Sequence, residues 1–128
     1  MSQENVERSY MQEPSVIPLT VRRLKAGTYE QWRKAWDDPN DPDALWMDGE
    51  QAYIARSVRD PDVVVAFALF PGDLEELSRL REDPEVERKL QKRSEAISEF
   101  TEEVLSDDTY EILEVVTTES RQREREAE

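Results

Sequence analysis

The sequence predicts an α+β fold in which helices cover a four-stranded antiparallel sheet. Two observations predict it. Residues 63–70 (VVVAFALF) are all apolar, which indicates a strand buried on both faces. Segments typical of strands and helices alternate in the order β-α-β-β-α-β, and each of the three glycines falls at a junction between segments.

The first predicted strand is residues 16–24 (VIPLTVRRL). Alternation places Ile17, Leu19 and Val21 on one face and Pro18, Thr20 and Arg22 on the other. The residues before it, 1–15, have no hydrophobic period, so we expect a flexible arm there.

The first predicted helix follows Gly27. Thr28 is the expected N-cap, with Gln31 as the N3 residue of a capping box. Tyr29, Trp32 and Trp36 recur at helical spacing and indicate an amphipathic helix. Two prolines in residues 37–43 (DDPNDPD) end it.

A β-hairpin is predicted next. Residues 53–58 (YIARSV) form a strand candidate, and residues 59–62 (RDPD) place Pro61 where a type I turn favours proline. The strand at residues 63–70 would then pair with residues 53–58.

Two helical segments follow the hairpin. Asp73 and Glu76 have the spacing of a capping box, and Pro84 suits the first position of a new helix. That second segment is predicted to be about 20 residues long, because one stripe carries Val86, Leu90, Ile97, Phe100 and Val104, with Arg93 its only polar member.

The C-terminal part of the chain is predicted to hold the last strand. Residues 106–108 (SDD) would end the long helix, and residues 109–118 (TYEILEVVTT) are rich in β-branched residues. Residues 119–128 are charged and are expected to form a frayed tail, which leaves 16–118 as the folded domain.

Composition excludes several classes of function. Seventeen Lys and Arg residues against 31 Asp and Glu give a net charge of -14, which repels nucleic acid and anionic membranes. Without cysteine or histidine there are no disulfides, no Cys/His zinc sites and no Ser-His-Asp catalysis. No cofactor is predicted. With no apolar run long enough to span a bilayer and a polar N-terminus, we expect a cytoplasmic protein.

Aromatic residues cluster around the first helix and the second strand. They either line a pocket for a flat apolar ligand or pack the core, and helical spacing favours the core. Arg56, in a strand, either binds a ligand's carboxylate or forms an ion pair, which the many acidic residues favour. The candidate pocket residues are Trp32, Trp36, Trp46, Tyr53, Arg56 and Phe67.

The aspartates of residues 37–48 raise the question of a metal site. An EF-hand needs alternate oxygen ligands, a central glycine and a glutamate at the twelfth position, and this segment does not supply them. We therefore expect a solvated loop and no metal.

The element order, residues 70–90 (FPGDLEELSRLREDPEVERKL) and residues 110–116 (YEILEVV) together resemble the dimeric α/β-barrel superfamily. Its folding unit is ferredoxin-like, and the antibiotic-biosynthesis monooxygenase-like proteins belong to it. The resemblance covers roughly residues 16–118. It implies either a non-enzymatic dimer that binds a small aromatic or apolar ligand or a partner, or a cofactor-independent monooxygenase acting on an aromatic or polyketide-like substrate. Members that degrade haem use a histidine, which this chain lacks.

A homodimer is also predicted from the residues themselves. Right-handed crossovers place the helices of a ferredoxin-like unit on one face of its sheet. The other face then exposes apolar side chains, among them Ile17, Leu19, Val21 and Ile112. A second copy of the same face would cover them.

Overall fold

The computed structural model describes residues 15–46 and 49–127, so the predicted arm at 1–15 lies outside the described residues except for Ser15. The strands are β1 (Val16–Leu24), β2 (Gln51–Arg56), β3 (Val63–Leu69) and β4 (Thr101–Glu111). The helices are α1 (Tyr29–Trp36), α2 (Leu74–Glu82), α3 (Pro84–Ser98) and α4 (Thr118–Ala127). The strands form one antiparallel sheet in the order β2-β3-β1-β4, which confirms the predicted ferredoxin-like fold.

The core lies between one face of the sheet and helices α1, α2 and α3. Even-numbered residues of β1 and β3 face these helices. One buried cluster joins Leu24, Val64 and Ala66 to Trp32 of α1 and Ile97 of α3. A second cluster joins Val16 and Phe70 to Leu77 of α2. All three helices therefore share one face of the sheet, as predicted.

Helix α2 begins with the predicted capping box, and α3 begins with Pro84 as predicted. The Glu76 amide donates to Asp73 Oδ1 at 2.8 Å, and the Asp73 amide donates to Glu76 Oε1 at 3.4 Å. Pro84 occupies the first turn of α3, where the Glu85 amide donates to Asp83 Oδ1 at 2.9 Å.

The predicted side-chain cap at Thr28 is wrong. Its hydroxyl donates to the Lys25 carbonyl at 2.6 Å, and no hydrogen bond joins it to an amide of α1. The Thr28 hydroxyl therefore binds a carbonyl of the turn at the end of β1 instead of accepting an amide of the helix.

The predicted hairpin forms, but β2 is displaced toward the N-terminus. It begins at Gln51 and ends at Arg56 instead of covering residues 53–58. The Val63 amide closes the turn on the Asp60 carbonyl at 3.1 Å. The Ser57 hydroxyl accepts the Arg59 amide at 3.1 Å, which ends the strand before Val58.

The predicted end of the long helix is wrong. Helix α3 stops at Ser98, and Thr101 begins β4. The Thr101 hydroxyl donates to the Ile97 carbonyl at 2.8 Å, and the Lys25 amide donates to the Phe100 carbonyl at 2.9 Å. These bonds satisfy the end of the helix and start the pairing with β1, so Phe100 and Val104 leave the helical stripe.

The C-terminal assignments are corrected as well. Strand β4 ends at Glu111, so residues 112–117 are not part of a strand, and residues 118–127 form α4 instead of a frayed tail. The Ser120 amide donates to Thr117 Oγ1 at 3.0 Å, which caps α4. Across residues 15–46 and 49–127, every helix is too short or too polar to cross a bilayer.

Candidate functional site

A cavity of about 300 Å³ lies between the helix-facing side of the sheet and helices α2 and α3. Small residues of β1 and β3 form part of the sheet side of this cavity and leave space beneath the helices. Its sheet lining includes Pro18, Thr20, Ala66 and Ala68, and its helix lining includes Leu77, Leu80, Val86 and Leu90. The lining is mainly apolar, with polar side chains from β1, β4 and α3.

Arg22 of β1 is the buried cation of the cavity. Its exposed fraction is 8%, and its Nε makes no hydrogen bond to any described residue. Burial lowers the pKa of Arg22 from its usual value, and the negative charge of Asp107 acts in the opposite direction. The guanidinium stays charged near neutral pH, because arginine is not deprotonated in proteins under ordinary conditions.

Arg93 of α3 is a second cation in the lining, and its contacts are made within the protein. It donates to the Leu45 carbonyl at 2.8 Å, and its guanidinium carbon lies 5.2 Å from the centre of the Trp36 ring. Burial lowers its pKa, while Glu50 and Asp37 raise it. Arg93 thus fixes Trp36 and the loop after α1 beside the cavity.

The three tryptophans have different environments. Trp36 lines the cavity. Trp32 is fully buried in the core beside it, with ring centres 6.2 Å apart, and its Nε1 has no partner among the described residues. Trp46 is half exposed and packs edge-to-face on Trp36 at 6.4 Å. Of these three tryptophans, Trp36 is the one that lines the cavity, so it can contact a ligand there.

Of the other predicted pocket residues, Phe67 borders the cavity with Trp36, whereas Tyr53 and Arg56 lie outside its lining. Tyr53 is 45% exposed and stacks on Phe67 at 5.3 Å, on the face of the sheet away from the helices. Phe67 also borders the cavity through its position in β3. The guanidinium of Arg56 lies 5.0 Å from the centre of the Tyr29 ring, a cation–π contact outside the cavity lining.

Three polar residues of the cavity, Arg22, Arg93 and Asp107, were absent from the predicted pocket set. Arg93 could have been found as the polar interruption of an apolar stripe. Arg22 sits on the mixed face of its strand, beside Thr20. No sequence pattern points to Asp107, because the sequence predicts a helix end at residues 106–108, whereas Asp107 lies within β4.

The aspartate-rich loop makes ion pairs with helix α3. Asp43 pairs with Arg88 at 2.7 Å and with Lys92 at 3.2 Å, and Asp41 pairs with Lys92 at 3.4 Å. Among residues 15–46 and 49–127, no group of carboxylates is arranged to hold a metal ion. The loop's charges therefore attach it to α3.

Comparison with family models and with curated protein sequences finds no match. The chain is similar in structure to a protein from Chloroflexus aurantiacus J-10-fl that is provisionally assigned as an antibiotic biosynthesis monooxygenase. The TM-score is 0.51 at 12% sequence identity, over 80% of this chain and 96% of that one. At this identity the likeness supports the fold, which agrees with the fold expected from the sequence.

Proposed function

We propose that this protein binds a small aromatic or apolar molecule in the cavity between the sheet and helices α2 and α3. The observation that carries the proposal is the cavity itself. Its volume of about 300 Å³ is at the lower end of ligand sites, which suits one or two fused rings. Trp36 supplies an aromatic surface in the lining, and the apolar side chains of α2 and α3 supply most of the rest.

A change that fills the cavity tests the proposal. Titration with 2-naphthol, followed by tryptophan fluorescence and calorimetry, is expected to show saturable binding at one site per chain. Ala68→Leu places a larger side chain in the cavity and is expected to weaken binding on the order of tenfold or more. Ala26→Leu makes the same change on an exposed turn residue outside the lining and outside the open face of the sheet, and is the matched control. Equal binding by both variants would contradict the proposed site.

We also propose that the protein is a homodimer formed through the sheet face opposite the helices. Val63, Val65, Phe67 and Leu69 lie on that face of β3, and each remains partly exposed in the single chain. Ile17, Leu19 and Val21 extend the apolar surface onto β1. A second copy would bury this surface through an isologous contact.

Val65→Glu tests the interface, because this residue lies at the centre of the open face. Light scattering is expected to show a dimer for the unmodified protein and a monomer for the variant. Val58→Glu introduces the same charge at a fully exposed turn residue and should leave the dimer intact. Val64→Glu is expected to unfold the chain instead, since Val64 is 1% exposed in the core. An unmodified protein of 15.0 kDa in solution would overturn the dimer.

A second candidate function is cofactor-independent oxygenation. Its support is the presence of Arg22 and Asp107 at one largely apolar cavity. In this proposal Asp107 accepts a proton from the substrate, and Arg22 stabilises the resulting anion. The anion is oxidised by O₂ to a hydroperoxide, which loses water, so one oxygen atom stays in the product as a carbonyl and the other leaves as water. Oxygen uptake with quinol-type substrates is expected to persist in the presence of a chelator and to fall in Asp107→Asn. Loss of activity on chelation would rule out this route.

A further inference from the structure

The environment of Arg22 indicates which chemical group a ligand of the cavity carries. A buried charged side chain is normally paired and hydrogen-bonded, because removing a charge from water is costly. Arg22 is more than nine-tenths buried, yet its Nε has no partner among the described residues. The next residue, Arg23, shows the usual solution: it forms an ion pair with Asp60.

Asp107 does not satisfy Arg22. The register places Asp107 opposite Thr20, so it is a diagonal neighbour of Arg22 across β1 and β4. Its charge is felt by Arg22, but no hydrogen bond joins the two side chains within the part of the chain that the structure describes. Asp107 is also exposed, so solvent screens its charge.

The half-buried arginine of the cavity already has contacts. Arg93 is held by the Leu45 carbonyl and by the Trp36 ring. Of these two arginines, Arg22 is the more deeply buried and has the greater need of an acceptor, and it borders the same space as Trp36.

We propose that the ligand of this cavity is an aromatic acid, whose carboxylate or ionised hydroxyl oxygen is bound by the guanidinium of Arg22. This inference rests on the ligand-binding function proposed above and names the chemical class of the ligand. A guanidinium presents its N–H groups as a planar fork that matches a carboxylate. The apolar lining holds the ring system, and Arg22 selects the acid over its neutral analogue.

The test compares 2-naphthoate with 2-naphthamide, two probes of nearly equal shape that differ in charge. Calorimetry on the full chain is expected to show that the unmodified protein binds 2-naphthoate more tightly, on the order of tenfold or more, because hydrogen bonds to charged groups are strong. Arg22→Met is expected to remove this preference while it retains the affinity for 2-naphthamide. Arg22→Lys keeps the charge without the planar fork and should show an intermediate preference.

Arg23→Met is the matched control, since it removes an arginine from the same strand but from the opposite face of the sheet. It should leave the preference for the acid unchanged. Equal affinity of the unmodified protein for both probes would overturn the recognition of an acid while leaving the binding site intact. Binding of neither probe would contradict the proposed function itself. A preference for the acid that survives in Arg22→Met would exclude Arg22 as its source.

Discussion

Replacing Arg22 with methionine is expected to make the ligand-free protein more stable. The Arg22 Nε is buried without a hydrogen-bond partner among the described residues, and an unsatisfied buried donor costs about 1–3 kcal/mol. Methionine is unbranched and flexible, so it can occupy the space of the arginine stem while removing the polar group. Replacement of buried charges by apolar side chains of similar volume is often neutral or stabilising.

The main opposing contribution is the attraction between Arg22 and Asp107. Because Asp107 is exposed, that attraction is worth less than about 1 kcal/mol, and its loss leaves no buried carboxylate unpaired. The expected net gain in the free energy of unfolding is therefore between about 0 and 3 kcal/mol.

Urea unfolding followed by circular dichroism measures this difference through the transition midpoint, and the melting temperature should rise by roughly 4 °C per kcal/mol. Arg23→Met is the control with the opposite expectation, because it breaks the ion pair with Asp60 and should lose up to about 1 kcal/mol. A midpoint for Arg22→Met at or below that of the unmodified protein would refute the reasoning, since it would show that Arg22 is well satisfied in the folded protein.

Two further predictions concern the surface. Asp73→Ala removes the cap of α2 and is expected to cost about 1 kcal/mol of stability, and an unchanged urea midpoint would exclude the cap. Arg88 and Lys92 hold the pKa of Asp43 well below its usual value, so its stabilising contribution is present at neutral pH and is lost as the pH falls below the ordinary aspartate pKa of about 3.9. The stability of Asp43→Asn should therefore approach that of the unmodified protein in acid; a constant difference from pH 7 to 2 would contradict this.

Much of the fold could be predicted because local signals agreed with the tertiary structure. The alternation of side chains between the two faces of β1 predicted the bounds of this strand, and the spacing of Asp73 and Glu76 predicted the start of α2. The prediction that the long helix includes residues 100–104 is wrong for a physical reason. Phe100 and Val104 fit a helical stripe, but pairing with the end of β1 places them outside the helix. Periodicity within a segment cannot report a partner that lies far along the chain.

The candidate site was less predictable for the same reason. Trp36 could be proposed because aromatic residues are conspicuous in a helix stripe. The cavity beside it depends on small residues of β1 and β3 lying opposite α2 and α3, which is a property of packing. Asp107 became a neighbour of Arg22 only through the pairing of β1 with β4.

The sheet order has a consequence for synthesis of the protein. The first of the four described strands to be synthesised, β1, needs both β3 and β4 as neighbours, and Val16 pairs with Glu111. At ordinary translation rates, β1 waits on the order of ten seconds for β4. During that time one of its edges has free backbone groups beside apolar side chains, which other nascent chains can contact. A chain that ends at Phe100 is therefore expected to show fast amide exchange in β1 and a tendency to aggregate, and strong protection of β1 in that chain would show that β3 alone suffices to hold it.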